Sequence, residues 1–318
     1  MASRIYPWFV LLFWTVMMSW LIGSKVLPPM LGGDPPDYHA YLTASSAKSP
    51  PVCWRISWND RRIGTAMSQV TQRFGGGVSL RQVVHFERMP ISAMVSEGLG
   101  LLGAAIQPLL GGDSDMELEM QLATELRFDA QRQFQQFQSV VDLGSLPGIL
   151  QLSGKFNDER KLEVTAQLAG ASGGAEGQKI RHAIEVPRNA LVADAFTPRT
   201  QVTNLHVGQR WTIPVYRPFP PNSQVQIVEA VAERLEVIVW DGRDVETIVV
   251  RYREDAGSGL HSSREPILTE WVNGKGVVLQ QEVRFSGLKV KFERLTTPVA
   301  SDETDKLNPV IHPRLWIR

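Results

Sequence analysis

From Val52 onward the chain is written in period two. "CWRISW", "RIGTAMSQVTQRF" and "VSLRQVVHFERM" alternate apolar and polar side chains, and Asn, Asp or Gly separates the runs. Successive side chains of a strand point to opposite faces, so such runs bury one face and leave the other wet. Short alternating runs joined by tight-turn residues fold as antiparallel hairpins. The rhythm resumes in "MELEMQLATELRFD", "RQFQQFQSVVDL", "GILQLSGKFNDERKLEVTAQLAG" and "QKIRHAIEV". Beyond residue 200 it returns in "SQVQIVEAVAERLEVIVWDG", "DVETIVVRYRE", "PILTEWVNGKG", "VVLQQEVRF" and "LKVKFERLT". The expected fold is mainly β with an α+β margin. It is an antiparallel meander, curved into one long sheet or two related ones, with one or two short helices. One helix is expected in "PRNALVADAFTPR", where Pro187 precedes it, Asn189 is placed to cap it and Pro198 ends it.

A Trp recurs at three of the turns. Trp58 stands before Asn59-Asp60, Trp240 before Asp241-Gly242, and Trp271 shortly before Asn273-Gly274. These turn residues tolerate the positive φ of tight hairpins. An indole beside such a turn covers the sheet end with a large apolar face. Hairpin architecture therefore explains the recurrence without chemistry, and the uneven spacing argues against a repeat array.

The N-terminus obeys a different rule. After Arg4, an uncharged apolar run extends from Trp8 to Ile22, and Lys25 is the next charge. A helix needs about 20 apolar residues to cross a bilayer, within a range of about 17–25. Trp8 and Trp20 lie near the ends of the run, where indoles favour the interface. The following "GSKVLPP" lacks the small-residue pattern of a cleavage site. Residues 1–27 are thus expected to form an N-terminal transmembrane helix, a single-pass signal-anchor in the cell membrane with the bulk of the chain extracytoplasmic. Residues 28–51 read as a Pro/Gly-rich linker. Residues 52–298 read as an extracytoplasmic antiparallel β domain, with a candidate division into halves near residue 200. Residues 299–318 read as a flexible tail.

Composition removes several classes of function. Lys plus Arg and Asp plus Glu both number 33, so no net charge draws the 318-residue chain to nucleic acid. The single cysteine, Cys53, has no internal disulfide partner. The six histidines show no zinc spacing. Asp113, Asp115, Glu117 and Glu119 are closely spaced but lack the glycine and distant glutamate of a calcium loop. "FGGGVS" has no lysine and no helix after it, so it is not a phosphate loop. No cofactor is implied, and the reading leans away from an enzyme, with a hydrolase as the third choice.

What remains is binding. Ser96 to Gly112, "SEGLGLLGAAIQPLLGG", is apolar, glycine-rich and almost uncharged. If the sheet curls into a trough, this segment is placed to lie across it as a lid. The candidate groove or lid residues are Leu99, Leu102, Ile106 and Leu109, with Trp211 and Trp271. The leading expectation is non-enzymatic binding of an apolar ligand or an envelope partner. The alternative is a structural or accessory subunit of a membrane complex.

Val207, Gly208, Trp211, Trp271, Gly274 and Val278 also carry a resemblance. "VGQRWTIPVY" with "EWVNGKGVVLQQEV" resembles uncharacterised bacterial envelope β-domains, in which a similar strand precedes a Trp-bearing hairpin. The meander as a whole resembles the lipoprotein-carrier and sigma-regulator type of periplasmic half-barrel. The resemblance implies an antiparallel sheet in the envelope and carries over no catalytic residue. An anchored chain departs from the carriers, which must diffuse.

Overall fold

The computed structural model describes residues 5–22, 36, 42, 50–90, 117–144, 146–169, 179–187, 190–192, 197–218, 224–254, 265–285, 288–296 and 299–303. After the helix α1 (Ile5–Leu21), the strands are β1 (Val52–Trp58), β2 (Arg61–Gln72), β3 (Val78–Pro90), β4 (Glu117–Phe128) and β5 (Phe134–Leu143). They continue with β6 (Leu146–Phe156), β7 (Leu162–Leu168), β8 (Lys179–Ile184), β9 (Leu191–Val192) and β10 (Arg210–Tyr216). The last five are β11 (Gln226–Trp240), β12 (Arg243–Glu254), β13 (Leu268–Asn273), β14 (Val278–Phe285) and β15 (Leu288–Arg294). All belong to one 15-stranded sheet in the order β8-β7-β6-β5-β4-β3-β2-β1-β15-β14-β13-β12-β11-β10-β9. One meander runs outward from β1 to β8. The other runs inward from β10 to β15, and β15 closes antiparallel on β1. Both sides of residue 200 therefore share one sheet.

Period-two burial decides which face is which. β5 alternates between buried and half-exposed along its length, and β7 buries Leu162, Val164 and Ala166. Registers such as Leu126↔Phe137 and Val141↔Leu150 align these buried positions into one continuous inner face. That face is curled. Phe137 on β5 and Tyr216 on β10 lie ten strand positions apart in the sheet order. Neighbouring strands are about 4.8 Å apart, so a flat sheet would separate these rings by roughly 48 Å. Their centroids are 6.2 Å apart. The two ends of the sheet face each other, and their inner surfaces form one hydrophobic core.

The turns fit their sequences. Asn59 and Asp60 have φ of 48° and 60°, and Asp241 and Gly242 have 52° and 69°, so both hairpins use two left-handed central residues. The third turn is longer and places its left-handed residue at Gly276. The three indoles do different work. Trp58 packs against the inner core, Trp240 Nε1 donates to the Arg294 carbonyl at 2.8 Å, and Trp271 Nε1 donates to Glu236 Oε1 at 3.0 Å.

Four features of the described residues bear on the expectations. The helix read in 187–199 is not found where that segment is described: Leu191 and Val192 pair in parallel with Val215 and Tyr216 as β9. Tertiary burial of these apolar side chains overrides local helix propensity. Leu42, inside the stretch read as a spacer, is fully buried in the inner core. Residues 299–303, read as the start of a flexible tail, are helical. They cover an outer-face patch of Cys53, Met67, Val83 and Ala123: Cys53 Sγ donates to the Ala300 carbonyl at 3.4 Å, and Arg62 pairs with Glu303 at 3.2 Å. Finally, no helix among the described residues is long and apolar enough to cross a membrane. The 17 residues of α1 span about 26 Å at 1.5 Å per residue, against a hydrocarbon core of about 30 Å.

Candidate functional site

The described residues between β8 and β10, 185–187, 190–192 and 197–209, form a strap on the concave face. Its backbone is tied to the second meander. Val202 N donates to Gly276 O at 2.8 Å, Val278 N donates to Thr200 O at 3.2 Å, and Arg294 Nη1 donates to Thr200 O at 2.9 Å. Arg199 N donates to Gln281 Oε1 at 3.2 Å. These ties fix Thr197 and Arg199 inside the curl.

Arg199 meets a buried carboxylate there. In β13 the alternation Leu268, Glu270, Val272 puts Glu270 on the inner face, opposite Gln281 and Val250. Arg199 Nε donates to Glu270 Oε1 at 2.8 Å, and Tyr252 Oη donates to Oε2 at 3.0 Å. The Arg199 guanidinium also stacks over the Tyr252 ring at 4.4 Å, and Trp211 meets that ring edge-on at 6.3 Å. Burial pushes the Glu270 carboxyl up from its ordinary value, and Arg199 and the Tyr252 hydroxyl hold it back. Nearby, burial pushes the Arg217 guanidinium down. Glu254 supports its charge and Arg199 opposes it.

Three cavities follow one another along the strap. The first, about 60 Å³, is walled by Ile213, Val215, Val228 and Val283 and by the two guanidinium-bearing residues Arg199 and Arg217. It shares Leu191, Thr197 and Arg199 with a notch of about 20 Å³. In that notch Ser68 Oγ, Gln82 Oε1 and Thr197 Oγ1 are buried without a hydrogen-bond partner among the described residues. Other polar side chains on the inner face are matched across strands, as Thr124 and Ser139 are at 2.9 Å, while Trp54 Nε1 is another buried group without a partner among the described residues. The notch shares Val192 with the third and roomiest cavity, about 270 Å³. Phe134, Phe156, Val186, Pro187 and Ala190 line it, and Gln133 and Arg160 stand among them.

The sequence-derived candidates divide three ways. Leu99, Leu102, Ile106 and Leu109 lie outside the described residues. Trp211 is on the inner face, one ring removed from the first cavity through Tyr252. Trp271 is on the outer face, bound to Glu236, so the structure does not bring the two indoles to one site. The reason is parity: Leu268, Glu270 and Val272 take the inner register of β13, and Trp271 falls between them. Sequence reasoning missed Arg199, Arg217, Tyr252 and Glu270. Of these Glu270 carried a signal, a charge at a register otherwise held by apolar residues. Sequence reasoning also passed over Gly170-Ala171-Ser172-Gly173-Gly174, a nominal G-x-S-x-G. That stretch joins the antiparallel neighbours β7 and β8, whereas a nucleophile elbow leads from a strand into a helix. Among the described residues, no three His, Cys, Asp or Glu side chains gather as metal ligands.

No family model matches the chain, and no curated protein matches it. Among solved structures, it is similar to the crystal structure of a beta-barrel-like protein of domain of unknown function DUF1849 from Brucella abortus. The identity is 9% and the TM-score 0.45, over 77% of this chain and 95% of that chain.

Proposed function

We propose that this protein is a membrane-held, extracytoplasmic binding protein that takes an apolar ligand into its curled sheet. The observation that carries the reading is the third cavity. It is walled by Phe134, Phe156 and the apolar strap residues, and its volume of about 270 Å³ is near the lower end of ordinary ligand sites, about 300–1,000 Å³. Burying a ligand's apolar surface there supplies about 25 cal/mol per Å² removed from water. The chemistry needed is shape and apolarity, with no group activated for catalysis.

The membrane part of the reading rests on α1. Trp8, Phe9, Leu12, Phe13 and Trp14 are all more than half exposed, and Thr15 Oγ1 returns its hydrogen bond to the Leu11 carbonyl. A helix that is apolar all round is stable when surrounded by an apolar medium. A bilayer that thins locally, or a helix embedded to part of its depth, accommodates a length of about 26 Å.

The test is native mass spectrometry of the full chain extracted from its own membranes, beside an Ala190→Trp variant. Ala190 is 4% exposed and lines the third cavity, so the indole fills it. The expected result is a stoichiometric apolar adduct on the native chain that is absent from the folded variant. A native chain without an adduct, or an adduct unchanged in the variant, overturns the reading.

One observation favours a partner protein as a second reading. β11 outruns the sheet body after its bulge, and Leu235, Val237 and Val239 are 54%, 61% and 72% exposed on one face. Replacing Val237 and Val239 with Ser is expected to release a cross-linked partner without altering the adduct mass. An unchanged cross-linking pattern argues against this surface.

A further inference from the structure

We propose that the arginine-walled first cavity binds the anionic head of an amphiphile, a carboxylate or phosphate borne on an apolar tail, with the tail directed along the strap toward Phe134 and Phe156. The proposal rests on the apolar-ligand reading and adds a head-group class to it.

The geometry supplies donors where an apolar ligand alone needs none. Arg199 and Arg217 line the same cavity, but the Glu270 carboxylate does not. Glu270 is turned to Arg199 Nε and to the Tyr252 hydroxyl. Thr197 adds a third polar group: it is 4% exposed, lines both the first cavity and the notch, and its hydroxyl has no hydrogen-bond partner among the described residues. Ser68 brings a second such hydroxyl to the notch. A guanidinium donates two parallel hydrogen bonds to a carboxylate or phosphate, and hydroxyls complete the shell around such oxygens.

The electrostatics agree with that geometry. Two cations wall one small apolar cavity, and Arg199 disfavours the charge on Arg217. Burial also opposes the charge on Arg217, with Glu254 as support. An anion in the cavity lowers both costs, because it sits beside two guanidinium groups in a medium that screens little. Contiguity supplies the direction of the tail. Leu191 and Thr197 wall both the first cavity and the notch, and Val192 walls both the notch and the Phe134–Phe156 cavity.

The experiment uses the full chain in phosphatidylcholine nanodiscs, titrated calorimetrically with decanoate, decyl phosphate and decanol. One charge-assisted contact is worth about tenfold in affinity, so at least one anion is expected to bind about tenfold more tightly than the alcohol. Whichever anion binds more tightly names the head. Arg217→Gln is expected to remove the preference, and Arg217→Lys to retain part of it. Equal binding of all three by the native chain overturns the head-group assignment and leaves the apolar cavity standing. Binding of none overturns the apolar-ligand reading and this proposal with it. A preference that survives intact in folded Arg217→Gln also overturns the assignment.

Discussion

At the scale of single residues, the inner face holds a carboxylate with no exposed surface, and its neighbours decide whether that is tolerable. Glu270 is matched by Arg199 and Tyr252. Removing one partner of a buried pair leaves an uncompensated charge and costs about 3–5 kcal/mol. Arg199→Met is therefore expected to lower the denaturation free energy by about that much, and Arg199→Met with Glu270→Leu to recover most of it, both read by urea unfolding. If the double variant is as unstable as the single, Arg199 acts mainly through packing. The two shifted glutamates also respond to pH with opposite signs. Glu236 is held below its ordinary 4.5, first by the Trp271 N–H and then by Arg234. Its contribution is present above 4.5 and is lost as pH falls through its lower folded value. Glu270 is raised above 4.5 by burial, so its contribution is complete below 4.5 and is lost as pH rises through its higher folded value. Unfolding curves across this range should show Glu236→Gln removing a loss of stability on the acid side. Glu270→Gln should remove a loss on the other side. Matching pH profiles for the two variants would refute the assignment.

At the scale of elements, two glycines show how strands are kept in register by what they lack. A Cβ on Gly64 would stand 2.1 Å from the His85 carbonyl oxygen of the paired strand β3, and one on Gly154 would stand 2.1 Å from the Phe137 ring. A side-chain ring can turn away, and a paired backbone carbonyl cannot. Both substitutions by Ala are overpacking changes of about 1–3 kcal/mol, and Gly64→Ala is expected to be the costlier in thermal unfolding. A smaller loss at Gly64 than at Gly154 would show that the β2–β3 pair gives more readily than its register implies. The same contrast between local and distant causes governs what the sequence revealed. Strands such as β5 and β7 and the turns at Asn59-Asp60 and Asp241-Gly242 were legible, because alternation and positive φ are properties of neighbours in sequence. The strap was not. "PRNALVADAF" carries helix propensity and a cap, and only β10 and the concave face, distant in sequence, draw Leu191 and Val192 into β9. The site followed the strap out of view, since Arg199 lies on it, Arg217 follows β10, and both acquire meaning from where it lies. Glu270 was within reach, because a glutamate in phase with Leu268 and Val272 marks the inner face, yet the conspicuous Trp271 beside it drew the reading to the wrong parity.

At the scale of the whole molecule, closure is the property on which the cavities depend. β8 and β9 end the sheet order, and among the described residues no strand ladder joins them. The strap and the inner-face side chains hold the curl, and the Phe137–Tyr216 contact reports on it directly. Both rings are about 1% exposed, and truncating either to Leu sacrifices burial whether the sheet is curled or opened. The two states differ in coupling. Aromatic pairs contribute about 0.5–1.5 kcal/mol beyond their burial. In the curled molecule, Phe137→Leu with Tyr216→Leu should therefore cost less than the two single losses added together, by about that amount, in a double-mutant cycle of denaturant unfolding. In a sheet that opens, rings ten strand positions apart have no means of communicating, and their losses simply add. Additivity would thus remove the closed interior and with it the cavities along the strap. Coupling of the expected size would mean that the lumen is held by side chains, whose rearrangement breaks no strand pair.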